Sequence, residues 1–203
     1  MGMRFDRAGL LRRVAAVIGP ARGHLFAACE MADETPVCRS RLCLATARWM
    51  VGLPTLGDVL YLPGRLDRSP RQAGLPGMLV ESIELAPLLQ VRTLVAAGAI
   101  TPDGPREWIE CLGDRGRVMA RLYLLPDTDY LAWDALHAPI LPAGEQSPRT
   151  DMASWHPASA RLLRFRVRQL AGLQILGAHL GTDASPLGRE LAARIARDEV
   201  LAR

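Results

Sequence analysis

The spacing of apolar residues changes along the chain, and its first part has the period of helices. Residues 4 to 52 begin with "DRAGLLRRVAAVIG", in which Leu10, Val14 and Ile18 share one face before a Gly-Pro pair. A second helix is predicted over "ARGHLFAACEMA". Pro36 is well placed to begin a third, "PVCRSRLCLATARWMVG". We therefore predict that residues 1 to 52 form a helical N-terminal part.

After this part the pattern becomes that of strands. The short apolar run "GDVLYL" is bounded by turn residues and predicts a strand over residues 57 to 62. "MLVESIEL" predicts a second strand, whereas "QVRTLVAAGAI" fits either a strand or a helix, and "TPDG" is a turn sequence. Between the first two strands, "GRLDRSPRQAGLPG" is long enough for either a functional loop or a disordered one.

The clearest local signal is a β-hairpin in "REWIECLGDRGRVMARLYLL". Apolar residues at positions 118, 120, 122 and 124 alternate with Arg121 and Tyr123 among others, which is the period of a half-buried strand. "GDRG" supplies the turn, because glycine takes positive φ without steric cost. We expect one face of this hairpin to be buried and the other to be solvated.

A capped helix is predicted directly after the hairpin. Asp127 is a good N-cap for "YLAWDALH", since its carboxylate can accept from the first turn of the helix. Tyr130, Trp133 and His137 then recur at spacings of three and four residues. This aromatic stripe is either a ligand surface or the side of a helix that packs on a sheet.

The remaining chain is predicted to be a linker, a strand and a helix. Residues 140 to 160 are rich in proline and serine and are typical of a linker. "RLLRFRVRQL" predicts a strand whose one face carries the arginine ladder, namely Arg164, Arg166 and Arg168. These three cations either form a solvated face paired with acidic neighbours or bind an anion.

The last helix has clear start signals. Ser185 is expected to cap it and Pro186 to occupy its first turn. Its predicted apolar face consists of Leu187, Leu191 and Ile195. The order of the elements predicts one α+β domain over residues 1 to 203, with a mainly antiparallel β-sheet and flanking helices.

Composition narrows the class of protein. Of 203 residues 49% are apolar and 23% are charged, as in ordinary globular proteins. No run approaches the roughly 18 apolar residues of a membrane span, and arginines interrupt the apolar stretch near the N-terminus, so we expect a cytoplasmic protein without a membrane segment. The four cysteines match no metal-binding spacing.

Charge permits an anionic ligand without requiring nucleic acid. All 25 basic residues are arginine, whose planar fork suits carboxylates and phosphates. The net charge of +4 is low for a dedicated nucleic-acid-binding protein, and no such motif is present. A nucleic-acid partner is therefore not expected, and the familiar catalytic motifs are missing as well.

Three stretches resemble the bacterial haem-utilisation family, the cytoplasmic hemin transport and degradation proteins of the HemS and ChuX type. "CLGDRGR" stands where the family has its "FDAxG" turn, and "LAWDAL" resembles its "AWxAL" helix. Upstream, "LGDVLYLPGR" is similar to the family's "LGxVxxLxRN" strand. The resemblance covers roughly residues 53 to 138 and implies a HemS/ChuX-like fold for this core, followed by the linker and by a strand and helix over residues 161 to 203.

The resemblance also implies haem as a cofactor. Haem requires an axial donor, partners for two propionates and flat apolar walls. Members of the family carry an axial histidine soon after the "LxRN" strand, but the loop here contains no His, Tyr or Cys. His137 is therefore the candidate iron ligand, with Tyr130 and Trp133 on the same helical face. The candidates for the propionates, by forked hydrogen bonds, are Arg65, Arg68 and Arg92, with Arg71 in the same loop as Arg68.

The resulting hypothesis is a cytoplasmic protein of haem or iron metabolism. It is expected to bind haem, a related tetrapyrrole or another anionic small molecule, and a homodimer is one possible assembly. An alternative belongs to a different class. In it the fold is retained, haem binding is lost, and the arginine ladder and exposed sheet serve a protein-interaction or regulatory module. A small-molecule enzyme on the same scaffold is a third option, and catalytic activity is left open.

Overall fold

The computed structural model describes residues 37–42, 44–65, 75–137 and 155–201. Its strands are β1 (Val37–Arg41), β2 (Asp58–Pro63), β3 (Met78–Val80), β4 (Thr93–Thr101), β5 (Gly104–Leu112), β6 (Val118–Tyr123), β7 (Arg161–Leu170) and β8 (Leu173–Leu180). Its α-helices are α1 (Thr46–Gly52), α2 (Tyr130–His137) and α3 (Pro186–Leu201). Short 3-10 helices cover Leu53–Leu56, Ile83–Gln90 and Asp114–Gly116.

All eight strands belong to one sheet, in the order β1-β4-β5-β6-β2-β7-β8-β3. Neighbouring strands are antiparallel except for β3, which is parallel to β8. The predicted α+β class with a mainly antiparallel sheet and flanking helices is confirmed. The order places β6 and β2 at the centre of the sheet, with β1 and β3 at its two edges.

The central strands of the sheet are buried on both faces, because their side chains alternate between the faces and a layer of helical elements covers each one. On the α3 face, residues such as Leu60, Trp108 and Tyr123 pack with Ile195 of the last helix. The opposite face, the α1–α2 face, is covered by α1, α2 and the first two 3-10 helices. The fold therefore has two hydrophobic layers separated by a single sheet.

The central hairpin differs from its sequence-based prediction. All six residues of β6 are buried, including Arg121 and Tyr123. The prediction of a half-buried strand was wrong because α3, which begins more than 60 residues further along the chain, covers the second face. Burial of an arginine in the middle of a sheet requires partners, and these form the site described below.

The helix expected to begin at Pro36 is also wrong over its first part. Val37–Arg41 is instead the edge strand β1, paired with β4 so that Cys38 lies opposite Gly98. Cys38 is fully buried there, and pairing with β4 overrides the local helical pattern. Among the described residues of this predicted helix, Thr46–Gly52 alone is α-helical, and the first two predicted helices lie outside the described residues.

Two predicted helix starts have different outcomes. The carboxylate of Asp129, not that of Asp127, caps α2, since Asp129 Oδ1 accepts from Ala132 N at 2.9 Å. Asp127 instead accepts hydrogen bonds from the backbone N and the hydroxyl of Ser185, at 2.8 and 3.0 Å. Ser185 caps α3 as predicted, because its Oγ accepts from Gly188 N at 3.0 Å.

The apolar face of α3 is shifted from the predicted one. Leu187 is 62% exposed, so its assignment to this face was wrong. Ala192 and Ile195 are buried, and Leu191 packs against them. Few apolar side chains of α3 therefore contact the sheet among those that the structure describes.

The strand predictions elsewhere are partly confirmed. "GDVLYL" corresponds to β2, "QVRTLVAAGAI" is the strand β4, and "TPDG" is the turn between β4 and β5. "MLVESIEL" forms only the short strand β3 before a 3-10 helix begins. The strand β8 was missed; it follows a turn at Ala171 and Gly172, both with positive φ.

Several expectations concern what the chain lacks. None of the helices in the described part of the chain is long and apolar enough to cross a membrane. Cys38 and Cys111 are free thiols and are buried. In the same residue ranges, no three His, Cys, Asp or Glu side chains come together as a metal site would require. Most of the predicted linker over residues 140 to 160, namely residues 140 to 154, lies outside the described ranges.

Candidate functional site

A buried pair of opposite charges lies at the centre of the α3 face. Glu110 of β5 and Arg121 of β6 are directly opposite each other across the hairpin. Glu110 is 0% exposed and Arg121 is 4% exposed. Arg121 Nη2 donates to Glu110 Oε1 at 3.0 Å. The hairpin register places these residues face to face, so the two strands carry a matched cross-strand ion pair.

Glu110 receives further donors from both sides. Arg39 of β1 donates through Nε to Oε2 at 3.1 Å and through Nη2 to Oε1 at 3.3 Å, which is a forked contact. Trp108 Nε1 donates to Oε1 at 3.1 Å. Burial alone would raise the pKa of Glu110, but the guanidinium groups of Arg121 and Arg39 outweigh it and the pKa lies below its usual value. Glu110 is therefore ionised at neutral pH.

The other side of Arg121 faces a carboxylate from α3. Arg121 Nη1 donates to Glu199 Oε1 at 2.8 Å and to Oε2 at 3.0 Å. Trp155 Nε1 donates to Glu199 Oε2 at 2.7 Å, and the hydroxyl of Tyr123 donates to Oε1. The Glu199 carboxylate thus has donors of three different chemical types. We call Arg39, Glu110, Arg121 and Glu199 the buried ion cluster.

Aromatic rings enclose the guanidinium group of Arg121. Arg121 Cζ lies 5.0 Å from the centroid of the Trp155 ring and 5.8 Å from that of Trp108. Trp108 and Tyr123 are stacked, with centroids 5.4 Å apart. Burial raises the pKa of Tyr123 well above its usual value, so its phenol is a neutral donor to Glu199. The arrangement combines cation–π contacts with charge-assisted hydrogen bonds in a site that largely excludes water.

The buried ion cluster was not predicted from the sequence. The available signal was a charged residue inside each of two apolar runs, "WIECL" and "VMARLYLL", on the two arms of one hairpin. Counting outward from the turn does not by itself pair them, because a register shift between Cys111 and Leu112 is what brings Glu110 opposite Arg121. The contributions of Arg39, Trp155 and Glu199 come from distant parts of the chain and have no local signature.

A second, exposed group of cations surrounds the turn of the hairpin. Arg117 Nη2 donates to the backbone carbonyl oxygen of Arg65 at 2.9 Å. Arg92 Nε lies 3.8 Å from Asp114 Oδ1, and Arg115 is exposed in the same turn with a φ of 59°. We call Arg65, Arg92, Arg115 and Arg117 the arginine corner. The backbone carbonyl of Arg65 and the side chain of Arg92, both from predicted propionate ligands, therefore lie at this turn, whereas Arg68 and Arg71 lie outside the described residues.

The predicted aromatic stripe of α2 is divided between core and surface. Trp133 is 1% exposed and packs in the hydrophobic layer of the α1–α2 face. Tyr130 is 44% exposed. His137 is the last residue of α2, and its side chain is outside the described part of the structure. Packing accounts for Trp133, and the assignment of these residues as haem ligands stays a prediction.

The arginine corner and α2 are at different ends of the central strands. Asp129 N, just before α2, donates to Leu56 O at 2.8 Å, and Thr128 bridges to Gly57 at the start of β2. Arg65 follows the other end of β2, which is six residues and therefore roughly 20 Å long. The structure does not bring Tyr130 to the arginines predicted to act with it.

The arginine ladder of β7 is paired within the chain. Arg164 forms a forked contact with the buried Asp58, with both nitrogen–oxygen distances at 3.1 Å. Arg166 and Arg168 both contact Glu81, each at 2.8 Å. The expectation of a face paired with acidic neighbours is confirmed. The interaction-module alternative, which relied on this ladder, stays a prediction.

Comparison with known proteins finds similar solved structures. The chain is similar to holo-PhuS, a heme-binding protein from Pseudomonas aeruginosa, at 17% identity and a TM-score of 0.39, over 60% of this chain and 39% of that chain. It is similar to ChuS, an E. coli heme oxygenase, at 14% identity and a TM-score of 0.40, over 56% of this chain and 38% of that chain. A second structure, of the heme degrading enzyme ChuS from Escherichia coli O157:H7, gives 14% identity, a TM-score of 0.38 and coverage of 64% and 41%.

These matches concern about two fifths of each of those chains and, at such identities, the fold alone. No protein-family model and no curated protein matches the chain.

Proposed function

We propose that this chain binds haem or a related tetrapyrrole, and that the arginine corner holds the carboxylates of the ligand. The observation that carries the proposal is the charge at this turn. Among the described residues, Arg115 and Arg117 belong to this turn, Arg92 lies beside its Asp114, and the backbone carbonyl of Arg65 accepts from Arg117. A guanidinium group can present two parallel N–H donors to one carboxylate, so the residue type fits the two propionates of haem.

The donor set at the corner fits the carboxylates of a tetrapyrrole but not its iron. Arginine and aspartate are not among the usual axial ligands of haem. His137 is the iron ligand that the sequence predicts, but α2 begins at the end of β2 opposite to the corner, so its role is tested separately from carboxylate binding. When bound, haem would supply redox chemistry of its iron, and the residues of the corner would orient the ligand by its carboxylates.

The proposal is tested by titrating hemin into the purified protein and recording the Soret band. The parent should give a saturable shift at one hemin per chain. The double variant Arg92→Gln/Arg115→Gln should bind more weakly, because it removes two cations while keeping Arg117 on the Arg65 carbonyl. Arg197→Ala, which removes an exposed arginine of α3, is the matched control and should bind like the parent.

Two results would count against this function. A parent protein without a saturable Soret shift would exclude haem binding. Equal weakening in the corner variant and in Arg197→Ala would mean that hemin responds to overall charge alone. His137→Ala is measured beside them: an altered Soret maximum at unchanged stoichiometry would support the histidine as iron ligand, and an unaltered spectrum would remove it.

A further inference from the structure

The Glu199 carboxylate occupies a position with the properties of a binding site for a carboxylate. Its two oxygens accept hydrogen bonds from a guanidinium, an indole and a phenol, all of them on the sheet or on the segment before β7. Arg121, Trp155 and Tyr123 are each buried. These three donors converge on one carboxylate, which belongs to Glu199 of α3.

We propose that Arg121, Tyr123 and Trp155 form a binding site for an aromatic carboxylate ligand, and that Glu199 is its internal occupant. A ligand would enter when the last turn of α3 lifts from the sheet. Its carboxylate would replace that of Glu199, and its ring would lie among the Trp108 and Trp155 indoles. The class of ligand is set by this pairing of a charged fork with flat apolar walls.

The attachment of the last turn of α3 makes such an exchange feasible. The buried apolar residues of the helix, Ala192 and Ile195, lie at least one turn before Glu199. In the last turn, the described side chains that contact the sheet are Asp198, which accepts from Arg106 Nη1 at 2.7 Å, and Glu199 itself. Asp198 is largely exposed, and Glu199 adds hydrogen bonds from the Tyr123 phenol and the Trp155 indole to its ion pair with Arg121. The described side chains of this turn therefore hold it to the sheet by polar contacts, and a ligand carboxylate can replace those of Glu199.

The energetics favour a like-for-like exchange. Arg121 is already desolvated, and its other terminal nitrogen, Nη2, donates to Glu110 at 3.0 Å. Binding of a ligand carboxylate therefore requires no further desolvation of the Arg121 guanidinium group, and the ligand competes only with Glu199. Because Glu199 is tethered to the chain, its effective concentration at the site is high and masks the site in the parent protein.

The test uses the variant Glu199→Ala of the full chain, with 2-naphthoate as the probe and the uncharged 2-naphthamide as its control, in a calorimetric titration. Without the internal competitor, naphthoate should bind saturably and about tenfold or more tightly than to the parent. It should also raise the melting temperature of the variant, while the amide should do neither. Glu199→Ala/Trp155→Phe, which removes the indole N–H but keeps a ring, should bind naphthoate more weakly.

Other results would overturn the proposal. These are a folded Glu199→Ala protein that does not bind naphthoate, equal affinity in parent and variant, or equal binding of the amide. If Glu199→Ala does not fold, the same criteria are applied to Glu199→Gln, which keeps the volume of the side chain and removes its charge. The outcome does not depend on hemin, so the proposed haem function and this site can fail independently.

Discussion

Replacement of Glu110 by glutamine tests the role of the buried ion cluster in holding the sheet together. The substitution keeps the shape of the side chain and removes its charge. Arg121 and Arg39 would then face an amide, half of which is itself a donor. Trp108 Nε1, at 3.1 Å from Oε1, would lose a charged acceptor as well.

The magnitude follows from the burial of the partners. Removal of one member of a buried ion pair typically costs about 3–5 kcal/mol, because the other charge remains desolvated. Here Arg121 keeps its contacts with Glu199, and Arg39 is partly exposed and can be hydrated. We therefore expect the lower end, a loss of about 3 kcal/mol in the free energy of unfolding. For a chain of this length that lowers the melting temperature by roughly 6–12 °C.

The assay is urea denaturation followed by tryptophan fluorescence, with thermal melting as a second measurement. Glu190→Gln is the matched control, since Glu190 is an exposed residue of α3 that pairs with Arg194 one turn along the helix. This control should leave the transition where it is in the parent. One ordinary hydrogen bond contributes about 1 kcal/mol to the free energy of unfolding. If Glu110→Gln lowers that free energy by less than this, the buried ion cluster does not depend on the charge of Glu110, and the reasoning is refuted.

Three further predictions concern packing, pH and reactivity. Trp133→Ala should lower the free energy of unfolding by about 3–5 kcal/mol in urea denaturation, because it leaves a cavity in the core. Tyr130→Ala should lower it by less than about 1 kcal/mol, because Tyr130 is exposed. Similar losses in the two variants would contradict the division of the aromatic stripe of α2 between core and surface. The pKa of Glu110 is lower in the folded protein than in the unfolded chain. Its contribution to the free energy of unfolding is therefore present above the usual carboxyl pKa and is lost as the pH falls below about 4. Acid denaturation curves of the parent should show this loss of stability, and those of Glu110→Gln should show less of it. Burial raises the pKa of the Cys111 thiol far above its usual value, so the thiol is inert in the folded protein. Peptide mapping after maleimide treatment should therefore find Cys111 labelled only in urea. Labelling of Cys111 in the native protein would show that β5 opens.

Local patterns were sufficient for many of the elements. The hairpin over β5 and β6, the strand β7 with its arginine ladder, and the Ser185 cap of α3 follow from side-chain alternation, turn glycines and capping chemistry, all of which act between residues near in sequence. The α+β class followed from the order of these elements. Of the candidate site residues, Arg65 through its backbone carbonyl and Arg92 through its side chain each contact the turn between β5 and β6, although they are 27 positions apart in the chain; their role as ligands stays a prediction.

Only the tertiary structure decided which surfaces are covered. Val37–Arg41 has a helical pattern by itself and becomes an edge strand because β4 offers hydrogen-bond partners. Arg121 has the pattern of a solvated strand position, and α3 buries it under Glu199. In both cases the deciding contact is made by a segment more than 50 residues away. Periodicity in the sequence records which side chains share a face, but the burial of that face depends on which distant element packs on it.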